Sequence, residues 1–296
     1  LRALRRWPGQ FAMRRLRLFA LIFVVCAAAL APLSADDLLL DGEFVQGGFI
    51  IGHAPPGSSV RFEGRALRVS KEGVFVFGFG RDAGPDAELV VEFPDGRIEA
   101  REFVVAPREF SIQHIDGLPP KKVTPPPETL ARIRAEGARV RAARAVDADR
   151  IDFAEGFDWP AQGRISGVYG SQRILNGQPR QPHFGIDIAG PVGRPVLAPA
   201  AGVVSLVEPD LYFSGGTLLL DHGHGVTSSF LHMSRIDVQA GQRVERGDRI
   251  GAIGATGRVT GPHLDWRINW FDARLDPGLL VGAMPERLVR PAPMRP

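Results

Sequence analysis

Cysteine is almost absent: the single Cys26 in 296 residues lies inside an apolar run near the N-terminus. A chain that loses this run has neither a reactive thiol nor a disulfide to draw on. Lipid attachment at Cys26 is also disfavoured, because Val24-Val25 stands where such processing prefers a small residue. Lysine is scarce beside abundant arginine, a bias expected of G+C-rich coding and without functional content. Acidic residues are missing from the first 35 positions, which carry six arginines. There Arg14 to Arg17 lead into the apolar run Leu18 to Ala31 and end in Pro-Leu-Ser-Ala at 32–35, the layout of a secretory signal. The run is short for a permanent membrane span. Met13 precedes the basic cluster, so residues 1–12 are a candidate upstream extension.

The formal charge of +3 minus those six arginines leaves about −3 for the remainder, so the basic balance belongs to the export signal. Nucleic-acid binding thereby loses its main support. A composition of 44% hydrophobic and 23% charged residues gives no sign of disorder and is enough for two compact domains. Gly 35 and Pro 25 favour many turns, hence short strands over long helices. The expected fold class is mainly β.

Along the chain, Phe49-Ile50-Ile51, the alternating Val60 and Phe62, Val74 to Phe79 and Leu89 to Phe93 read as strands. Turn signals such as Pro55-Pro56-Gly57 and Pro94-Asp95-Gly96 separate them, predicting an antiparallel immunoglobulin-like β-sandwich over 36–107. His53 and His114 stand apart from other ligand-type residues and read as ordinary polar positions. Residues 108–156 form a linker in which Glu128 to Ala148 predicts a helix, its arginines a solvated face. Short strands return over 157–285, followed by a tail at 286–296, and five of the seven histidines fall in this last domain.

Two segments there carry metal-ligand residue types. His183-Phe184-Gly185-Ile186-Asp187 places a histidine and a carboxylate four apart; a regular strand would hold them about 13 Å apart, too far to share an ion. Gly185 offers a bend that closes this gap. In Gly261-Pro262-His263-Leu264-Asp265-Trp266, Pro262 marks a strand start and period two puts His263 and Asp265 on one face. Leu264 and Trp266 then face the opposite layer. His232, in Leu231-His232-Met233-Ser234, is uninformative alone. His222 and His224 lie among Gly223 and Gly225 and read as a turn between strands, with His222 the first substitute if Asp265 binds no metal.

Taken in order, Tyr169-Gly170 and Arg173, HFGID, LHMS and VQAGQRVERGDRIGAIGATGRVTGPHLDW resemble the lysostaphin-type (LytM-like) zinc metallopeptidases over roughly 157–275. The resemblance implies a compact antiparallel β domain and a Zn2+-dependent endopeptidase acting on peptide cross-links of peptidoglycan. It implies that His183 and Asp187 are metal ligands and that His232 and His263 are unligated histidines assisting the reaction. One of these two would accept a proton from water and the other stabilise the oxyanion, their assignment being open. Arg173 matches a position near the site, where it orients a substrate carboxylate or forms a structural salt bridge.

The third ligand falls on Asp265, where the family has a second histidine two residues after the one matching His263. A carboxylate is an acceptable ligand, but a second one makes the site more anionic and Mn2+ or another oxygen-preferring divalent metal more competitive. The alternative is a degenerate module that binds peptidoglycan or activates a hydrolase without cutting. An exported chain of this kind works in the periplasm or the extracellular envelope, with peptidoglycan and a cell-wall hydrolase or division component as partners. The sandwich reads as a spacer or docking module.

Overall fold

Apolar residues that alternate with polar ones, interrupted every few positions by Gly, Pro or Asp, give this chain its many short strands. The computed structural model describes residues 38–115 and 127–286; the export-signal reading, Cys26 and residues 287–296 of the tail lie outside them. No helix among the described residues is long and apolar enough to cross a membrane. The fold is mainly β.

Seven strands come first: β1 (Leu39–Gly42), β2 (Phe49–His53), β3 (Ser59–Phe62), β4 (Arg65–Leu67), β5 (Val74–Gly78), β6 (Asp86–Glu92) and β7 (Ile98–Val104). They make two antiparallel sheets, ordered β1-β2-β5 and β4-β3-β6-β7. Phe62 and Phe77 stack between them at 4.4 Å between ring centroids, and every residue of β5 is buried. Next come β8 (Ile112–Ile115) and α1 (Leu130–Arg144), the single α-helix among the described residues.

The C-terminal half contributes β9 (Arg164–Gly167), β10 (Gln172–Leu175), β11 (Gln178–Pro179), β12 (Ile186–Ala189), β13 (Pro195–Leu197), β14 (Gly202–Leu211) and β15 (Gly215–Gly223). After these follow β16 (Val226–Met233), β17 (Arg235–Ile236), β18 (Arg243–Val244), β19 (Arg249–Ala252), β20 (His263–Trp270) and β21 (Ala273–Leu275). The central sheet runs β18-β14-β15-β16-β20-β12-β9, with β21 on the flank of β20. Its two faces differ. Leu264, Trp266 and Ile268 of β20 and Phe230 of β16 are fully buried on the core face, where Trp266 meets Trp159 at 6.0 Å. The odd-numbered residues of β20 point the other way, and that face holds the polar site.

The core is continuous with that of the N-terminal sheets. Phe49 packs edge-on against Phe153 and Phe157 at 6.3 and 6.0 Å, and Phe62 against Trp270 at 6.0 Å. Arg65 covers Phe271 with its guanidinium 3.6 Å from the ring centroid. The arginines of α1 are not all solvated: Arg132 and Arg139 are exposed and pair with Asp210 and Glu208 on β14, but Arg144 is buried. A shared core predicts shared cooperativity. Phe49→Ala should cost about 3–5 kcal/mol and lower one calorimetric transition; two separable transitions would contradict the common core.

Candidate metal centre

A strand of four regular residues cannot bring His183 to Asp187, and the chain solves this with a bend at Gly185 just before β12. The bend is closed to side chains: a Cβ on Gly185 would lie 2.5 Å from the Trp266 carbonyl and 2.7 Å from Asp265 Oδ1. His183 is held at its start by backbone hydrogen bonds, its amide donating to Ser171 and its carbonyl accepting from Gly170. His183 Nε2 then sits 3.2 Å from Asp187 Oδ1. That approach lacks hydrogen-bond alignment, and neither atom, both buried, has another hydrogen-bond partner. Gly167 of β9 leaves the room the carboxylate needs, since a Cβ there would come within 2.2 Å of Asp187 Oδ2.

Antiparallel pairing of β12 with β20 sets Asp187 opposite Asp265. One ligand atom from each of His183, Asp187 and Asp265 lies within 4.8 Å of the others, and no other such group of three occurs among the described residues. Bonds of about 2.0–2.2 Å to a tetrahedral ion place ligand atoms roughly 3.5 Å apart, so a small closure of this trio suffices. Two orphaned buried donor atoms and an N/O/O donor set fit zinc or another divalent cation.

Asp265 is 2% exposed and is held by Arg267, whose Nε donates to Oδ1 at 2.8 Å and Nη2 to Oδ2 at 2.5 Å. Burial pushes the Asp265 carboxyl up, but the Arg267 charge and hydrogen bonds outweigh it and keep the group well below the usual carboxylate range. Each oxygen accepts one bond from the guanidinium and keeps a lone pair for a metal. The pairing revises the expectation of a more anionic centre. With Arg267 included, the group carries −1, the formal charge of a site with two histidines and one aspartate.

Two imidazoles stand beside the trio, their ring centroids 4.8 Å apart. Strand alternation would send His232 into the core beside Phe230; instead His232 adopts φ 65°, which turns its ring to the site face. Its Nδ1 donates to the Thr256 carbonyl at 2.9 Å, and Nδ1 of His263 donates to that of Gly261 at 2.8 Å. A carbonyl only accepts, so Nδ1 carries a proton in both rings and Nε2 is left to the site, an acceptor when the ring is neutral and a donor when it is protonated. His263 Nε2 lies 3.7 Å from Asp187 Oδ1. Burial, aided by His263 and Arg267, lowers the His232 pKa against the opposing pull of the Thr256 carbonyl and Asp265.

The remaining sequence candidates lie elsewhere. His222 is fully buried, bonded to the Ala201 carbonyl at 2.6 Å and Ser228 Oγ at 2.7 Å, so it has no nitrogen to spare for a metal. His224 and Gly225 form the β15–β16 turn with φ 47° and 78°. Arg173 is exposed on β10, where its Nε donates to Gln113 Oε1 at 3.4 Å. His53 and His114 are exposed on β2 and β8. Arg267 was missed in the sequence, although period two from Asp265 places it on the same strand face.

An antiparallel sheet carrying a His/Asp/Asp trio beside two free imidazoles defines a metallohydrolase type of centre. The chain belongs to peptidase family M23. The model of that family matches residues 181–277, which include all five site residues. A crystal structure of a Pseudomonas aeruginosa protein assigned to peptidase M23 is 33% identical and superposes with a TM-score of 0.64, covering 82% of this chain and 96% of that one. Among curated proteins, the peptidoglycan DD-endopeptidase ShyA of Vibrio cholerae is 42% identical over 106 residues, 36% of this chain and 24% of the relative. The cell division protein DipM of Caulobacter vibrioides is 29% identical over 148 residues, half of this chain and 23% of its own length. The chain thus spans about a quarter of the length of the curated relatives it matches.

The Asp265–Arg267 pair generates a test. Asp265→His alone leaves Arg267 unpaired beside the ion, a repulsion of several kcal/mol at an effective dielectric near 20. Its zinc affinity, measured by chelator competition, should therefore fall at least about a hundredfold below that of Asp265→His/Arg267→Gln. Equal affinities would show that Arg267 does not tune the site.

Proposed function

We propose that this chain is a zinc-dependent endopeptidase that hydrolyses peptide cross-links of peptidoglycan in the cell envelope. The observation that carries the proposal is the convergence of buried, unpartnered His183 Nε2 and Asp187 Oδ1 on Asp265, with the free Nε2 atoms of His232 and His263 beside them. A divalent ion held by His183, Asp187 and Asp265 would supply a Lewis acid for the scissile carbonyl and for water. The protein's own part is proton handling. One of His232 and His263 takes the proton of the attacking water and delivers it to the departing amine, and the other donates a hydrogen bond to the developing oxyanion. The ring that acts as base is neutral and gains its proton at Nε2, whereas the ring that faces the oxyanion carries a proton at Nε2 to donate; with Nδ1 of both anchored on carbonyls, neither has to reorient.

The peptidoglycan substrate is supported by the matched M23 segment and by the similarity to the peptidoglycan DD-endopeptidase ShyA. Export is supported by the basic and apolar N-terminal layout, and it agrees with a thiol-free mature chain. Zinc is favoured over manganese because Arg267 cancels the added charge of Asp265. Arg173, exposed on β10, is proposed to contact substrate. The N-terminal sheets serve as a docking module fused to the enzyme.

Purified protein lacking residues 1–35, assayed for bound metal and muropeptide release, should hold one zinc per chain and release cross-link cleavage products. His263→Ala should keep the zinc and lose about 10²–10⁴-fold in kcat. A parent that releases nothing with any divalent ion would leave a wall-binding module instead. The pH profile adds a second check. With His232 as the base, whose pKa is lowered by burial, activity should persist as pH falls and be lost only below 6.5, through the depressed pKa. An acidic limb above 6.5 would exclude that role.

A further inference from the structure

Three arginines from distant parts of the sequence meet on the site face. Arg267 stands on β20, and Arg274 on β21 lies opposite Asn269, two residues further along the same face. Arg144, the last residue of α1, reaches Ser229 Oγ with Nη2 at 3.1 Å, and Ser229 is the cross-strand partner of Arg267. Arg274 sits with its guanidinium carbon 5.6 Å from the ring centroid of Phe184, next in sequence to the ligand His183. Its backbone is pinned by the Tyr169 hydroxyl, which donates to the Arg274 carbonyl at 2.7 Å.

Only one of the three cations is neutralised. Arg267 has Asp265, whereas Arg144 and Arg274 form no ion pair among the described residues. Arg144 is 9% exposed, and its Nε is buried without a partner; Arg274 Nη1 is buried in the same condition. Burial and mutual repulsion depress the affinity of both guanidiniums for their protons, with the exposed Asp272 offering only partial relief. Buried cations with unfilled donors are costly unless an anion completes them. Planar guanidiniums present forked N–H pairs that match a carboxylate.

We propose that Arg274 and Arg144 form a carboxylate-binding subsite that recognises a free carboxylate of the substrate peptide beside the scissile bond. This rests on the endopeptidase reading given above and names the feature by which the site selects its peptide. The subsite lies on the Phe184 side of the metal trio, so a bound carboxylate fixes the position of the peptide without touching the reacting atoms. Arg274 and Arg144 are specificity residues and not catalytic ones.

The test uses two synthetic cross-linked stem peptides that differ only in whether the carboxylate next to the scissile bond is free or amidated. Cleavage kinetics and calorimetric binding are measured for the parent, Arg274→Gln and Arg274→Lys. The parent should prefer the free acid at least about tenfold in kcat/KM. Arg274→Gln should raise KM for the free acid roughly 10- to 100-fold, change kcat less than about threefold, and leave the amidated peptide unaffected. Arg274→Lys should recover part of the preference. The melting temperature of Arg274→Gln should hold or rise, because an uncompensated, partly buried cation has been removed; a structural arginine would lower it. Equal losses for both peptides, or a parent indifferent to amidation in both kinetics and binding, would overturn the subsite. If the parent cleaves neither peptide yet binds the free acid in an Arg274-dependent way, the subsite stands and the endopeptidase reading falls.

Discussion

Asp187 and Asp265 face each other across β12 and β20, two carboxylates in a cross-strand pair of which Asp265 is buried and Asp187 half-buried, and the rest of the site is arranged around that repulsion. Like charges directly opposite on adjacent strands destabilise a sheet, and burial increases the cost. Cations on two sides resolve it. Arg267 grips Asp265 from along the same strand. On the other side, His183 Nε2 and Asp187 Oδ1 turn unpartnered toward the same point, where a divalent ion would bind both. The pairing of β12 with β20 calls for such counter-charges, and a bound divalent ion would supply part of the stability of the strand pair itself.

Backbone conformation pays the cost of bringing the imidazoles in. His232 occupies the left-handed region, which a histidine adopts at a penalty of about 1–3 kcal/mol. A regular β16 would bury this ring beside Phe230 and leave the site with one free base. Gly185 and Gly167 act in the complementary sense, by excluding side chains where carboxylate or carbonyl oxygens already stand. The site thus depends on one strained residue and two absent side chains, all held by a sheet whose other face is buried at β12, β16 and β20.

Much of this was legible in the sequence, and the limits have physical causes. The gap between His183 and Asp187 in a regular strand required a bend, and Gly185 named the place. Period two put His263 and Asp265 on one face, with Leu264 and Trp266 in the core. The same period reached Arg267, but attention to ligand types passed over a cation that binds no metal. His232 was not legible as a site residue from strand pattern, since LHMS gives no sign of a positive φ. Arg144 and Arg274 lie 130 positions apart and meet only through the packing of α1 on the central sheet, which no local pattern encodes. Likewise, turn signals predicted the N-terminal sheets, but not that Phe49 and Phe62 would share a core with Phe153 and Trp270.

Charge accounting across the site explains why an aspartate at the third ligand position does not by itself imply a lost function. Exchanging a neutral histidine for Asp265 adds one negative charge, and Arg267 returns one positive charge at hydrogen-bonding distance. The ion would then meet a ligand set of unchanged formal charge, so the Lewis acidity expected of a two-histidine site is largely retained. What does change is the electrostatic field away from the ion. Asp265 is occupied by Arg267, so it cannot also neutralise Arg144 and Arg274, and the site face keeps a net positive margin beside the reaction centre. A purely structural sheet would gain nothing from holding two unpaired guanidiniums there, whereas a site that must draw in an anionic peptide gains both affinity and orientation.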